Sequence, residues 1–158
     1  MDFFDAYAAG ILDADGCITI IRAKRGKTIR HVLRVEVSMC CKPLIERLKT
    51  EYGGSVTYRP LYTLRRPKEA PGIRDIWMWI AGAQIAYNFI RRVQPWLIVK
   101  AAEADLAIEF QEGISKTTGF TLPLKELKRR DRLADACSAL KRQRYSYSTT
   151  NGPGASSH

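Results

Sequence analysis

Asp13 and Asp15 stand one residue apart in YAAGILDADG, residues 7 to 16, directly after a run of small and aliphatic side chains. Carboxylates so placed can hold a hard cation, end a helix or move protons. A calcium loop of the EF-hand type is excluded by spacing, since it needs glycine at the sixth place and glutamate at the twelfth. Starting from Asp13 puts Lys24 twelfth, and setting Gly16 sixth puts Ile11 first and Arg22 twelfth. As mere helix-ending residues the two acids would oppose the macrodipole, at a cost of about 0.3–1 kcal/mol each. A cation offsets that cost. Mg2+ takes one or two carboxylates from a protein and fills its other positions with water and phosphate oxygens. The pair therefore suits metal-assisted phosphodiester chemistry.

Charge points to the same substrate class. The 158 residues carry 26 Lys and Arg against 16 Asp and Glu, a net charge of +10. Residues 22 to 34 hold six cations and no acid, and residues 116 to 144 hold nine cations and three acids. Two separate basic zones fit a polyanion such as nucleic acid. The four cysteines show no CxxC spacing and the two histidines lie far apart, which argues against a zinc site. Cys40 and Cys41 are adjacent and would point to opposite faces of a strand, so they read as reduced thiols of an intracellular protein. No run of about 18 apolar residues is present to span a membrane, and the acidic N-terminus lacks the basic region of a targeting signal.

The elements that must position the acids follow from periodicity. Asp2 or Asp5 caps a first helix ending at Gly16. One face of it, Phe4, Ala8, Ile11 and Leu12, turns to the core. A second face, Ala6, Ala9, Gly10 and Asp13, is small enough to let another backbone come close. A strand over 17–24, a turn over 25–28 and the alternating strand VLRVEVSM come next, followed by a helix opened by Pro43 and closed by Gly53-Gly54. Strands over 55–64 and 73–81 flank a basic, Pro-rich loop, and helices over 84–93, 97–112 and 123–142 complete the chain. The length predicts one domain over 1–144, with 145–158 a disordered tail.

Residues 8–16, AAGILDADG, resemble the signature of the LAGLIDADG homing endonucleases, with six of nine letters identical. The element order is similar to that family's α+β fold, αββαββα, over residues 3 to 112, with extra C-terminal helices. Val93-Gln94-Pro95 followed by Lys100 is similar to the segment that carries the active-site lysine of single-motif members.

The resemblance implies a homing endonuclease, an intron-encoded type of enzyme, that makes double-strand breaks in a long, near-palindromic DNA target with Mg2+. Ca2+ is expected to support binding without cleavage. A single motif implies a homodimer packed through Ala6, Ala9, Gly10 and Asp13. Asp15 and the carbonyl of Ala14 match the metal ligands, and Asp13 ties down the helix end. Lys100 matches the residue that stabilises the phosphorane or adjusts the attacking water. Cys41 stands where relatives carry a polar water-organising side chain, a departure from the pattern.

The antiparallel sheet is expected to lie in the major groove. Its base-facing candidates are Thr19, Arg34, Glu36, Ser38, Thr57, Arg59 and Trp77, with Arg25, Lys27, Thr28 and Arg30 reaching outer bases or phosphates. Lys116, Lys128, Arg129, Arg130 and Arg132 are expected on the phosphates. An RNA-splicing maturase or a non-catalytic DNA-binding regulator of the same fold is the alternative reading.

Overall fold

The computed structural model describes residues 3–26, 28–59, 75–114 and 122–150, without the side chains of 25, 28 and 145–150. The order is α1 (Phe3–Asp15), β1 (Gly16–Arg25), β2 (Thr28–Met39), α2 (Lys42–Tyr52), β3 (Ser55–Arg59), β4 (Ile76–Gly82), α3 (Ala83–Val93), α4 (Ala101–Ile114) and α5 (Leu124–Thr150). A 3₁₀ turn over Gln94–Trp96 joins α3 to α4. This is the α+β order expected from the pattern. The last helix runs on to Thr150, into the stretch read as a disordered tail. The Pro-rich loop lies outside the described residues. Among them, no helix is long and apolar enough to cross a membrane.

The four strands form one antiparallel sheet in the order β1-β2-β4-β3. Its register sets Ile18 against Val35, Ile20 against Leu33, and Val37 against Trp79. These side chains are buried together with Ala8, Leu12, Ile45, Leu48, Phe89, Ile90, Ala104 and Phe110 from the helices. The intervening residues form the other face, where Thr19 lies opposite Arg34 and Ser38 opposite Met78. One face is core and the other is open, as alternation requires.

β1 would expose a row of unpaired backbone groups at its outer edge. α5 lies along that edge. The Cys137 thiol donates to the Ile18 carbonyl at 3.4 Å. Arg22 on β1 pairs with Asp131 at 2.8 Å and Asp135 at 2.9 Å, and buried His31 on β2 bonds Asp131 through Nε2 at 2.9 Å.

The turn between α2 and β3 is built around Trp79. Its indole N–H donates to the Gly53 carbonyl at 2.8 Å, so the large ring is buried without an unsatisfied donor. Gly54 has φ 87°, and a Cβ there would stand 2.6 Å from the Ile80 carbonyl oxygen. Gly54→Ala should therefore destabilise the fold by about 1–3 kcal/mol, from left-handed strain and the clash together. Urea unfolding should show a lower midpoint with an unchanged slope; an unchanged midpoint would contradict this account of the turn.

Candidate active site and nucleic-acid face

α1 is held by its apolar stripe. Ala8, Ala9 and Leu12 are essentially inaccessible and Ile11 nearly so, whereas Ala14 and Asp15 are exposed where the helix gives way to β1. The two acids of DADG therefore have different surroundings.

Asp13 turns back into the protein. Its Oδ2 accepts the backbone N–H groups of Ile98 at 2.8 Å and Val99 at 3.1 Å, and its Oδ1 accepts that of Lys100 at 2.9 Å. The Lys100 N–H belongs to the cap position of α4 and the other two to the turn before it, so one carboxylate holds the turn and the helix start together. Lys100 returns the contact, its Nζ donating to the Asp13 carbonyl at the end of α1. This clamp explains why α4 begins at Ala101 rather than Leu97: residues 97 to 100 form the turn that Asp13 holds. Asp15, in contrast, is exposed and has no hydrogen-bond or ion-pair partner among the described residues.

Lys100 is 7% exposed. Burial lowers its pKa, and the charge of Arg144 lowers it further, against the opposing pull of Asp13 and Glu103. Arg144 bonds the Val99 carbonyl at 3.1 Å and pairs with the buried Glu103 carboxylate. The lysine expected to face substrate is thus directed at the backbone of the motif, two residues before Asp15. Cys41 is exposed at the start of α2 and makes no side-chain cap bond. No contact among the described residues joins it to Asp15 or Lys100. The Gly16–Val37 pairing sets Asp15 beside the end of β2, three residues short of Cys41 at Ser38.

No group of three metal-ligating side chains occurs among the described residues. The exposed donors at the end of α1 are the Asp15 carboxylate and the Ala14 carbonyl, which belongs to the last helical turn and lacks an intrahelical donor. Both are hard oxygens, and Mg2+ accepts so few protein ligands.

Thr19, Arg34, Glu36, Ser38, Thr57 and Arg59 share the open sheet face, with Arg30 opposite Ala23 towards the hairpin end. Arg34 and Glu36 form an ion pair along β2. Arg25 and Thr28 pair at the hairpin end, their side chains outside the described set, and Lys27 and Lys116 lie outside it altogether.

Three expectations are corrected. Trp77 belongs to the helix side of the sheet, its ring 4.8 Å from that of Tyr58 and 4.7 Å from the Lys42 ammonium. Ala9 is 0% exposed within its own chain and cannot meet a partner. The exposed stripe of α1 is instead Phe3, Tyr7, Gly10 and Ala14, with Ala6 half-buried and Asp13 engaged by the turn. Arg129 and Arg130 are both bonded to Glu126 at 2.8 Å, and Arg130 is buried. They join α5 to itself and, through Arg129 and the Glu109 carbonyl at 3.3 Å, to α4. Lys128 and Arg132 on the same helix are exposed.

Sequence reasoning also missed Lys141, whose Nζ lies 3.0 Å from Cys17 Sγ and bonds the Thr19 hydroxyl. The stripe Leu133, Cys137, Lys141, Arg144 at helical spacing was the available signal.

No family model matches the sequence, and no curated protein matches it. Solved structures do. The homing endonuclease I-CvuI, in complex with its target, aligns at TM-score 0.67 and 18% identity over 99% of this chain and 90% of its own. The archaeal intron-encoded homing endonuclease I-Vdi141I, complexed with DNA, gives TM-score 0.67 and 18% identity over 88% and 84%. The LAGLIDADG homing endonuclease I-GzeII, with its DNA target, gives TM-score 0.64 and 14% identity over 82% of this chain but 43% of that one.

The ion pairs of α5 give a pH test. Bonding first to Arg129 and then to Arg130 holds the Glu126 carboxyl down at about 2, from an ordinary 4.5. A depressed folded pKa contributes stability above about 4.5 that is lost as pH falls towards about 2. Glu126→Gln should lower the melting temperature at neutral pH and remove the part of the acid loss that falls in that window. Parallel acid melting curves for variant and unmutated protein would contradict it. The sheet order, the α1 terminus and these alignments agree on one architecture: the chain has the fold of the LAGLIDADG homing endonucleases, at the length of a single repeat.

Proposed function

We propose that the protein is a site-specific DNA endonuclease, cutting both strands of a long, near-palindromic duplex as a homodimer with Mg2+. The observation that carries this reading is the exposed Asp15 carboxylate at the end of α1, without a partner among the described residues, where the open polar sheet face begins. The DNA-bound state of the structural neighbours supports it.

Asp15 and the Ala14 carbonyl would hold the ion. When bound, Mg2+ supplies charge stabilisation at the phosphodiester and a more acidic water. The protein's part is positioning. Asp13 and Lys100 fix the end of α1 against α4, so the Asp15 carboxylate stays in one place as substrate docks. The Lys100 ammonium adds positive charge close to that backbone, which favours the charge developing on the phosphate. Thr19, Arg34, Glu36, Ser38, Thr57 and Arg59 are offered to base edges, and Lys128 and Arg132 to phosphates. Arg34 and Glu36 must exchange their mutual pair for base contacts, which makes them discriminating.

One chain supplies half of a two-stranded cut. The exposed stripe Phe3, Tyr7, Gly10 and Ala14, next to exposed Trp96 and Ile98, is an apolar surface suited to a second copy. A Cβ at Gly10 meets nothing within 4 Å in the single chain. Gly10→Leu should therefore leave the fold intact by circular dichroism while sedimentation changes from dimer to monomer. A monomeric unmutated protein, with and without DNA, would overturn the dimer.

Asp15→Asn keeps the side-chain shape and removes the charge that holds the ion. Cleavage by the variant should fall at least about a thousandfold, with duplex binding in Ca2+ retained or tightened because repulsion of phosphate is relieved. I-SmaMI was solved on uncleaved DNA with calcium ions. I-CvuI was solved on the I-CreI target with Mg and its DNA not cleaved. The assay accordingly needs a target selected by this protein from randomised duplexes. Cutting by Asp15→Asn at the unmutated rate would end the enzyme reading.

A further inference from the structure

α5 lays Leu133, Ala134, Cys137 and Lys141 along β1. Leu133 and Ala134 are in the core, and Cys137 bonds the strand edge at Ile18. One turn further on, the helix has passed that edge. Lys141 reaches round it to the open sheet face, its ammonium 3.0 Å from Cys17 Sγ and bonded to Thr19 Oγ1. Cys17 is two residues after Asp15, opposite Glu36 in the register.

Neither of these partners is a carboxylate. Five arginines nearby are matched by carboxylates: Arg22 by Asp131 and Asp135, Arg34 by Glu36, Arg129 and Arg130 by Glu126, and Arg144 by Glu103. Lys141 has no carboxylate within ion-pair distance among the described residues. A half-buried ammonium without a counter-charge is unfavourable unless an anion completes it. It is also preorganised, since two contacts already hold the flexible stem and little entropy remains to be lost when the anion arrives.

We propose that Lys141 binds a backbone phosphate of the DNA beside the scissile bond, so that α5 serves as a second wall of the active site as well as an edge cover. The assignment rests on the endonuclease reading and adds to it a cation supplied by the C-terminal helix. Such a contact fixes the register of the duplex on Asp15 and carries no sequence information.

The test pairs a protein change with a DNA change. A duplex is first selected from randomised sequences by binding in Ca2+. Phosphates near the cut are then replaced singly by neutral methylphosphonates. Dissociation constants are measured for the unmutated protein, Lys141→Gln, Lys141→Arg and Arg132→Gln, whose arginine is offered to a different phosphate. Glutamine keeps a donor for Thr19 and Cys17, so the fold is preserved, which thermal melting checks. Lys141→Gln should weaken binding about 3- to 10-fold per half-site and flatten the salt dependence by roughly one phosphate per subunit. At one symmetry-related pair of phosphates, methylphosphonate should weaken the unmutated protein and Lys141→Arg but leave Lys141→Gln unchanged. Arg132→Gln should lack that coupling. Additive losses at every position would overturn the assignment while leaving the endonuclease intact. An unmutated protein that selects no duplex would overturn both.

Discussion

The Asp13 carboxylate joins two helix termini of opposite partial charge, and the geometry of the site depends on that junction. The end of α1 is the negative end of its dipole, where an acid is unfavourable by about 0.3–1 kcal/mol. The start of α4 is the positive end of another, with unpaired N–H groups. Three bonds of 2.8 to 3.1 Å to one carboxylate outweigh the penalty, since a hydrogen bond to a charged group is worth about 1.5–3 kcal/mol. Lys100 completes the exchange by placing a cation at the α1 terminus. The second acid has no such compensation. Asp15 retains the unfavourable position with nothing to relieve it among the described residues.

The net charge of +10 divides into two populations. One consists of arginines with planar forks, each set against a carboxylate. Arg22 ties β1 to α5, Arg92 ties α3 to Asp5 on α1 and Glu51 on α2, and Arg144 ties α5 to α4. These pairs hold helices around one face of the sheet and leave the other open. In the second, exposed Lys128 and Arg132 and half-buried Lys141 have no carboxylate partner among the described residues, and the proposed reading gives them to phosphates while Arg34 and Arg59 on the open sheet face are given to base edges. Counting cations points to a polyanion, whereas position on the fold and pairing together sort which cations face it.

That distinction explains what could be read in advance. The DADG end, the alternating β2 strand and the order of elements are local patterns, and the structure keeps them. The faces of α1 and β4 are not local. Residues 6, 9, 10 and 13 share a helical side, but whether Ala9 or Gly10 marks its margin depends on how α1 seats on the sheet. In IWMWI, residues 76 to 80, both alternating sets are apolar, so period two is silent about which is inside. The tryptophans turned inward because Trp79 finds the Gly53 carbonyl for its indole N–H. The spacing Glu126, Arg129, Arg130, at i, i+3 and i+4, did carry the signal for intrahelical pairs. Read as charge alone, it passed for a phosphate-binding patch.

The dimensions of the sheet connect its local chemistry to the size of the target. β1 and β2 contain 10 and 12 residues, which at about 3.3 Å per residue extend roughly 33–40 Å. One turn of duplex, about 10 base pairs, is roughly 34 Å. In the proposed complex a ribbon of this length would follow the major groove for about one turn, from the end where Asp15 stands to the hairpin. Two copies joined at their α1 helices would set the Asp15 ends together at the centre and the hairpins at the outside. The proposed target would then be about 20 base pairs, cut near its middle. On that reading, shortening the hairpin would trim recognition from the outer base pairs without touching the chemistry, because the clamp on the end of α1 lies at the opposite end of the strands.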